Sequence, residues 1–117
     1  MDLALRHAKK GLGNTGVNPS VGCVIIKDNS VIGSGNTGFF GRPHAERLAI
    51  NNARSKTNSS SIYITLEPCS HFGKTPPCTD KIIKGKFKNV FFSINDPDKR
   101  TYKKSKKKIE AKGIKVF

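Results

Sequence analysis

The sequence predicts an α/β layered fold, and three observations carry that expectation. Extended apolar runs (VGCVIIK at 21–27, SIYITLEP at 61–68, NVFFSI from residue 89) alternate with stretches whose apolar residues recur at helical spacing. The first run passes through the turn KDNS into SVIGSG, the pattern of an antiparallel hairpin. The later runs are each separated by a helical stretch, which allows crossover connections between neighbouring strands.

Taken in order, a helix is predicted from Asp2, as its cap, through Leu12, with Ala4, Leu5, Ala8 and Leu12 on one face and Gly11 and Gly13 as the stop. The segment NPS turns the chain into the hairpin. The loop GNTGFFGRP has the wrong glycine spacing for a nucleotide-binding turn and reads as a connection to a helix starting near His44, with Ala45, Leu48, Ala49 and Ala53 inward. The strand over 61–68 stops at Pro68. A helix follows in TPPCTDKIIKGK, with Thr75 as cap and Ile82, Ile83 and Phe87 inward. After NVFFSI and the turn NDPD come a lysine-rich helix and a short strand, IKVF, giving the order α-β-β-α-β-α-β-α-β.

The 117 residues suit one domain, 1–117. No window approaches the roughly 18 apolar residues of a membrane span, and no signal-peptide run follows Met1, so a cytoplasmic protein is expected. Three cysteines there argue for metal binding, catalysis or burial and against a disulfide framework. The formal charge of +14 raises nucleic acid as a partner. However, seven lysines and one glutamate in 101–117 supply +6 of it, without arginine and with few aromatics, which reads as a solvated helix face.

PCSHFGKTPPC, 68–78, places two cysteines in a stretch too polar for a core strand and too rich in breakers for a helix. Thiolate and imidazole are zinc ligands, and a catalytic zinc keeps three protein ligands and an open position. His44, Cys69 and Cys78 make such a set, with His44 and Cys78 at helix starts, where thiolate is favoured. Glu46, about 200° around the helix from His44, cannot join the same metal but can stand beside it as a proton shuttle. The competing reading is a closed structural site, with His71, Cys23 or His7 as fourth ligand. Cys23, within VGCVII, reads as a buried thiol and His7 as a surface histidine.

HAE followed by PC and a later cysteine is the signature of zinc-dependent nucleobase deaminases. The spacing in PCSHFGKTPPC, with NPSVGCVI at 18–25, GRPHAE at 41–46 and TLEPCSHFGKTPPCTDKII at 65–83, resembles the pyrimidine deaminase domain of riboflavin biosynthesis. The resemblance implies a cytidine deaminase-like layered fold, a central mixed five-stranded sheet with helices on both faces. It implies hydrolytic removal of the 2-amino group of 2,5-diamino-6-ribosylamino-4(3H)-pyrimidinone 5′-phosphate, with ammonia released. It also implies zinc on His44, Cys69 and Cys78, Glu46 as proton shuttle, and contacts to the substrate's ribosyl phosphate from Asn18, His71, Lys74 and Asp96. The chain departs from the family at Thr37 and Asp98, where histidine and asparagine are usual, and TYKKSK replaces a GxG region. No reductase domain is expected within these residues, so a separate reductase is one partner this reading allows and a homo-oligomer another. A nucleoside or tRNA deaminase and a non-enzymatic zinc module are the alternatives; Glu46 is what the second leaves unexplained.

Overall fold

The computed structural model describes residues 1–117. Its helices and strands follow the predicted order: α1 (Asp2–Lys10), β1 (Gly22–Lys27), β2 (Ser30–Asn36), α2 (Ala45–Ala53), β3 (Ser61–Leu66), α3 (Cys78–Lys84), β4 (Asn89–Ile94), α4 (Ser105–Glu110) and β5 (Lys115–Val116), with a 3-10 turn at Phe39–Gly41. One mixed five-stranded sheet runs β2-β1-β3-β4-β5. The β1–β2 and β1–β3 pairs are antiparallel, while β3–β4 and β4–β5 are parallel. In the hairpin turn Asp28 and Asn29 both have positive φ, the requirement of the tight two-residue turn that KDNS signals.

The register sorts the two faces, because paired residues point to the same side. Cys23 pairs with Gly35 and Ile64, Ile25 with Gly33 and Ile62, Ile62 with Val90, and Val90 with Val116. These residues form the core with Ala45, Ala49, Ile82 and Ile109, so α2, α3 and α4 cover this side. Gly33 and Gly35 let α2 lie close: a Cβ on Gly33 would sit 2.3 Å from the Ala49 carbonyl oxygen. Gly22 and Val24 face the other way, against α1, and a Cβ on Gly22 would come within 1.8 Å of the Ala4 carbonyl. Helices therefore occupy both faces. α1 packs mainly on β1, with lesser contact to β2 and β3. Farther along the same side, Tyr63, Phe91 and Phe117 stack ring on ring, with centroids 4.6 and 4.8 Å apart.

Three local expectations are corrected. α1 ends at Lys10, not Leu12, and Asp2 is its first residue and caps nothing. Leu5 and Leu12 point to solvent, 42% and 67% exposed, because the sheet is met by the small Ala4 and Ala8 over Gly22. Thr75 does not cap α3; Pro77 holds that position with no side-chain bond, and the Thr75 hydroxyl accepts from Arg42 Nη1 at 3.1 Å.

Candidate active site

The parallel strands β3 and β4 end side by side, and the chain leaving each of them walls one cleft, the usual place for a ligand in an open α/β sheet. β3 runs into Glu67, Pro68 and Cys69; β4 runs into Asp96. The N-termini of α2 and α3 meet the same place. His44 is the residue before α2 and Cys78 is the first residue of α3. The 69–78 loop is pinched shut at its base: the Cys78 amide donates to Cys69 Sγ at 3.1 Å and the Thr79 amide to the Cys69 carbonyl at 3.2 Å. Arg47 holds its far side, with Nη2 donating to the Pro76 carbonyl at 2.6 Å.

His44 Nδ1 lies 3.3 Å from Cys78 Sγ and 3.7 Å from Cys69 Sγ, and the three ligand atoms all fall within 4.8 Å of one another. A tetrahedral zinc with its usual bond lengths separates nitrogen and sulfur ligands by about 3.6 Å. The donor set and its spacing therefore fit zinc. Without metal the two thiols share their charge unequally: a hydrogen bond from the Cys78 side chain, with help from His44, holds Cys69 down to about 4, and the same bond, then burial, pushes Cys78 up. The His44 imidazole is raised, chiefly by its bond to Cys69.

None of the three alternative fourth ligands joins this group. His71 Nδ1 pairs with the Thr101 hydroxyl at 3.0 Å, and Cys23 is in the core, its thiol pushed up by desolvation. His7 lies on α1. Two of the three ligand residues, His44 and Cys69, line the cleft together with Glu46.

The cleft has a volume of about 890 Å³ and is lined by seven of the eight residues named from sequence: Asn18, His44, Glu46, Cys69, His71, Lys74 and Asp96. Cys78 lies behind them, fully buried. Glu46 is 4% exposed, and burial pushes its carboxyl up to about 7, the range in which a carboxylate both takes and returns a proton near neutrality. Asn18 spends its amide nitrogen on the Thr15 and Phe40 carbonyls, at 3.3 and 3.1 Å, which leaves Oδ1 as its acceptor. Gly41, at φ +88°, permits this: a Cβ there would strike the Asn18 amide. Asp96 Oδ1 accepts from the Asp98 amide at 2.9 Å. Lys74 is exposed at the mouth. Thr37, the departure from the family, is buried and turned inward, accepting from the Val21 amide at 2.8 Å and donating to the Pro19 carbonyl at 3.2 Å.

Sequence reasoning missed Glu67, 2% exposed. Its Oε2 accepts from the amides of Asp96 (3.0 Å) and Lys103 (3.1 Å), and its Oε1 from the amide (3.3 Å) and hydroxyl (2.8 Å) of Ser105. One carboxylate thus ties together the 96–105 segment, whose first residues wall the cleft. The signal was a lone acid at the end of an apolar strand, in TLEP. The unassigned TYKKSK segment supplies the other side of that tie, and Thr101 supplies the partner of His71.

Comparison with known proteins agrees with this geometry. The family described as "Cytidine and deoxycytidylate deaminase zinc-binding region" matches residues 1–94. A diaminohydroxyphosphoribosylamino-pyrimidine deaminase of Buchnera aphidicola is 45% identical over 116 residues, 99% of this chain and 79% of that protein. The riboflavin biosynthesis protein RibD of Aquifex aeolicus is 44% identical over 99% of this chain. The structure of a Thermotoga maritima protein described as a diaminohydroxyphosphoribosylaminopyrimidine deaminase/5-amino-6-(5-phosphoribosylamino)uracil reductase superposes with a TM-score of 0.93 at 44% identity over the full chain. The chain spans 33% of the Aquifex protein and 34% of the Thermotoga chain, but most of the Buchnera deaminase. By this match across most of its length, and by a zinc-competent triad set beside a buried glutamate, the chain belongs to the zinc-dependent cytidine and deoxycytidylate deaminase family, alongside the deaminases of riboflavin biosynthesis.

Proposed function

We propose that residues 1–117 form one deaminase unit that removes the 2-amino group of 2,5-diamino-6-ribosylamino-4(3H)-pyrimidinone 5′-phosphate by hydrolysis, giving 5-amino-6-ribosylaminouracil 5′-phosphate and ammonia. The observation that carries this reading is the position of Glu46: a buried carboxyl on the floor of the cleft, two residues from one metal ligand and close to the other two. A purely structural metal site has no use for it. Zinc held by His44, Cys69 and Cys78 supplies Lewis acidity that brings the pKa of water towards neutrality. Glu46 takes one proton from the attacking water and passes it to the ring nitrogen as the C–O bond forms, then carries the remaining hydroxyl proton to the amino nitrogen as the C–N bond breaks, so the ring gains a carbonyl and ammonia leaves neutral. Asn18 Oδ1, His71, Lys74 and Asp96 line the path from this floor to the mouth and hold the ribosyl phosphate.

The names of the Buchnera and Thermotoga relatives support this substrate, and the second activity in the Thermotoga protein's name supports a reductase, on another chain or another segment, as the consumer of the product. No helix is long and apolar enough to cross a membrane, and the proposed setting is the cytoplasm. The decisive experiment is turnover of the diaminopyrimidine ribosyl phosphate by the zinc-loaded chain, with dCMP, cytidine and RNA as comparison substrates. Ammonia release from the first alone supports the reading; release from RNA or cytidine alone replaces it.

A further inference from the structure

The mouth of the cleft carries an ion pair that the family resemblance does not account for. Asp98 Oδ1 accepts from the Arg100 amide at 2.9 Å and from its Nε at 3.0 Å, and Oδ2 accepts from Nη2 at 2.5 Å. The pair is exposed, 66% for the arginine side chain, so it adds little to stability. Its effect is on orientation. A guanidinium has five N–H groups in a planar fork, and this clamp engages Nε and Nη2, leaving both hydrogens of Nη1 and one of Nη2 without a partner in the chain.

The backbone beneath that fork is fixed to the metal loop. The Ser70 hydroxyl donates to the Arg100 carbonyl at 3.4 Å, and the neighbouring Thr101, fully buried, pairs with His71. On the opposite flank, Arg42 donates to Thr75, the residue after Lys74. The loop between the metal thiols is thus met by Arg42 at Thr75, by Arg47 at Pro76 and by the Arg100 carbonyl at Ser70, and Lys74, in no ion pair, lies on it. The cleft passes from a carboxyl at its floor to cationic groups at its mouth. Asp98, which alone would repel an anion there, is covered by the arginine it aligns.

We propose that Arg100 is a specificity-determining residue: held by Asp98, its outward N–H groups take the phosphate end of the substrate together with Lys74. Paired N–H groups in one plane match two phosphate oxygens in a way that a lysine point charge does not. Asp98 is the positioning residue for this contact. The inference rests on the ribosyl phosphate reading above.

The test is calorimetric titration of the zinc-loaded chain with ribose 5-phosphate and with ribose, beside the turnover assay. Arg100→Ala is expected to weaken ribose 5-phosphate binding by about tenfold, the loss of one charge-assisted contact, and Arg100→Lys to restore only part of it. Ribose binding and zinc content are expected to stay as in the wild type. Unchanged ribose 5-phosphate affinity in Arg100→Ala, full restoration by lysine, equal losses on ribose, or no binding of ribose 5-phosphate by the wild type would each overturn the proposal. Arg100-dependent binding in a chain that does not deaminate the diaminopyrimidine leaves this inference standing and removes the substrate reading; turnover without that dependence does the reverse.

Discussion

The Ser105 hydroxyl donates to Glu67 Oε1 at 2.8 Å, joining the first residue of α4 to the segment between β3 and the first metal thiol. The same carboxylate also receives three backbone amides. Glu67→Leu keeps an apolar side chain in the space but strands these donors, at about 1–3 kcal/mol for each one left unpaired. Unfolding in urea is expected to show a loss of at least ~3 kcal/mol, with Glu67→Gln, which keeps one acceptor oxygen, losing less. A loss below ~1 kcal/mol for leucine would show that the 96–105 segment is held by something else.

Glu46→Gln separates binding from chemistry. The shape and the three ligands remain, so zinc content should match the wild type, while turnover falls by at least the ~10²-fold typical of a lost acid–base group. Near-normal turnover would remove Glu46 from the proposed mechanism.

Metal removal should expose one thiol before the others. Cys69 is half-buried and lowered to about 4, so in the metal-free protein it is thiolate throughout the neutral range; Cys23 and Cys78 are buried and raised. After chelation, alkylation mapped by mass spectrometry is expected at Cys69 first, at a rate nearly level between about pH 6 and 9, where an ordinary thiol with a pKa near 8.5 would speed up steadily. Zinc should protect it. Modification of Cys23 ahead of Cys69 would contradict the structure.

Gly22→Ala places a methyl 1.8 Å from the Ala4 carbonyl oxygen and 2.6 Å from the Ala8 amide. Neither is the free end of a side chain, so α1 must move off the sheet, at a cost of about 1–3 kcal/mol. Faster amide exchange confined to α1 and β1 would register the displacement; unchanged protection would show that the helix is not seated on Gly22.

The ease with which each part was read from sequence follows from how local its physics is. Cys69, Cys78 and His44 were legible because few side chains bind zinc and because breaker-rich PCSHFGKTPPC has no other evident use. The strands were legible from β-branched runs. The seat of α1 was not, since hydrophobic spacing put weight on Leu5 and Leu12, whereas contact is made by alanines over a glycine and depends on the distance between two backbones. Thr75 had the right chemistry for a cap, but Arg42, 33 residues earlier, takes its hydroxyl. Glu67 depends on partners that only folding brings near, the Asp98–Arg100 pair is local but only the fold puts it at the cleft mouth, and TYKKSK looked featureless because much of its role is carried by backbone amides, which every residue has.

The ring stack on the open side of the sheet gives this protein its own optical label. The chain has no tryptophan and two tyrosines. Tyr102 stands in solvent, 46% exposed, while Tyr63 lies 4° from parallel with Phe91, on the strand that leads to Glu67 and Cys69. Rings fixed in a chiral setting generate near-ultraviolet circular dichroism, and that signal vanishes when packing loosens even if secondary structure survives. The tyrosine band of the unmodified chain therefore reports on the sheet beneath the catalytic floor, and it can be followed through zinc loading, chelation and every substitution above without attaching a dye.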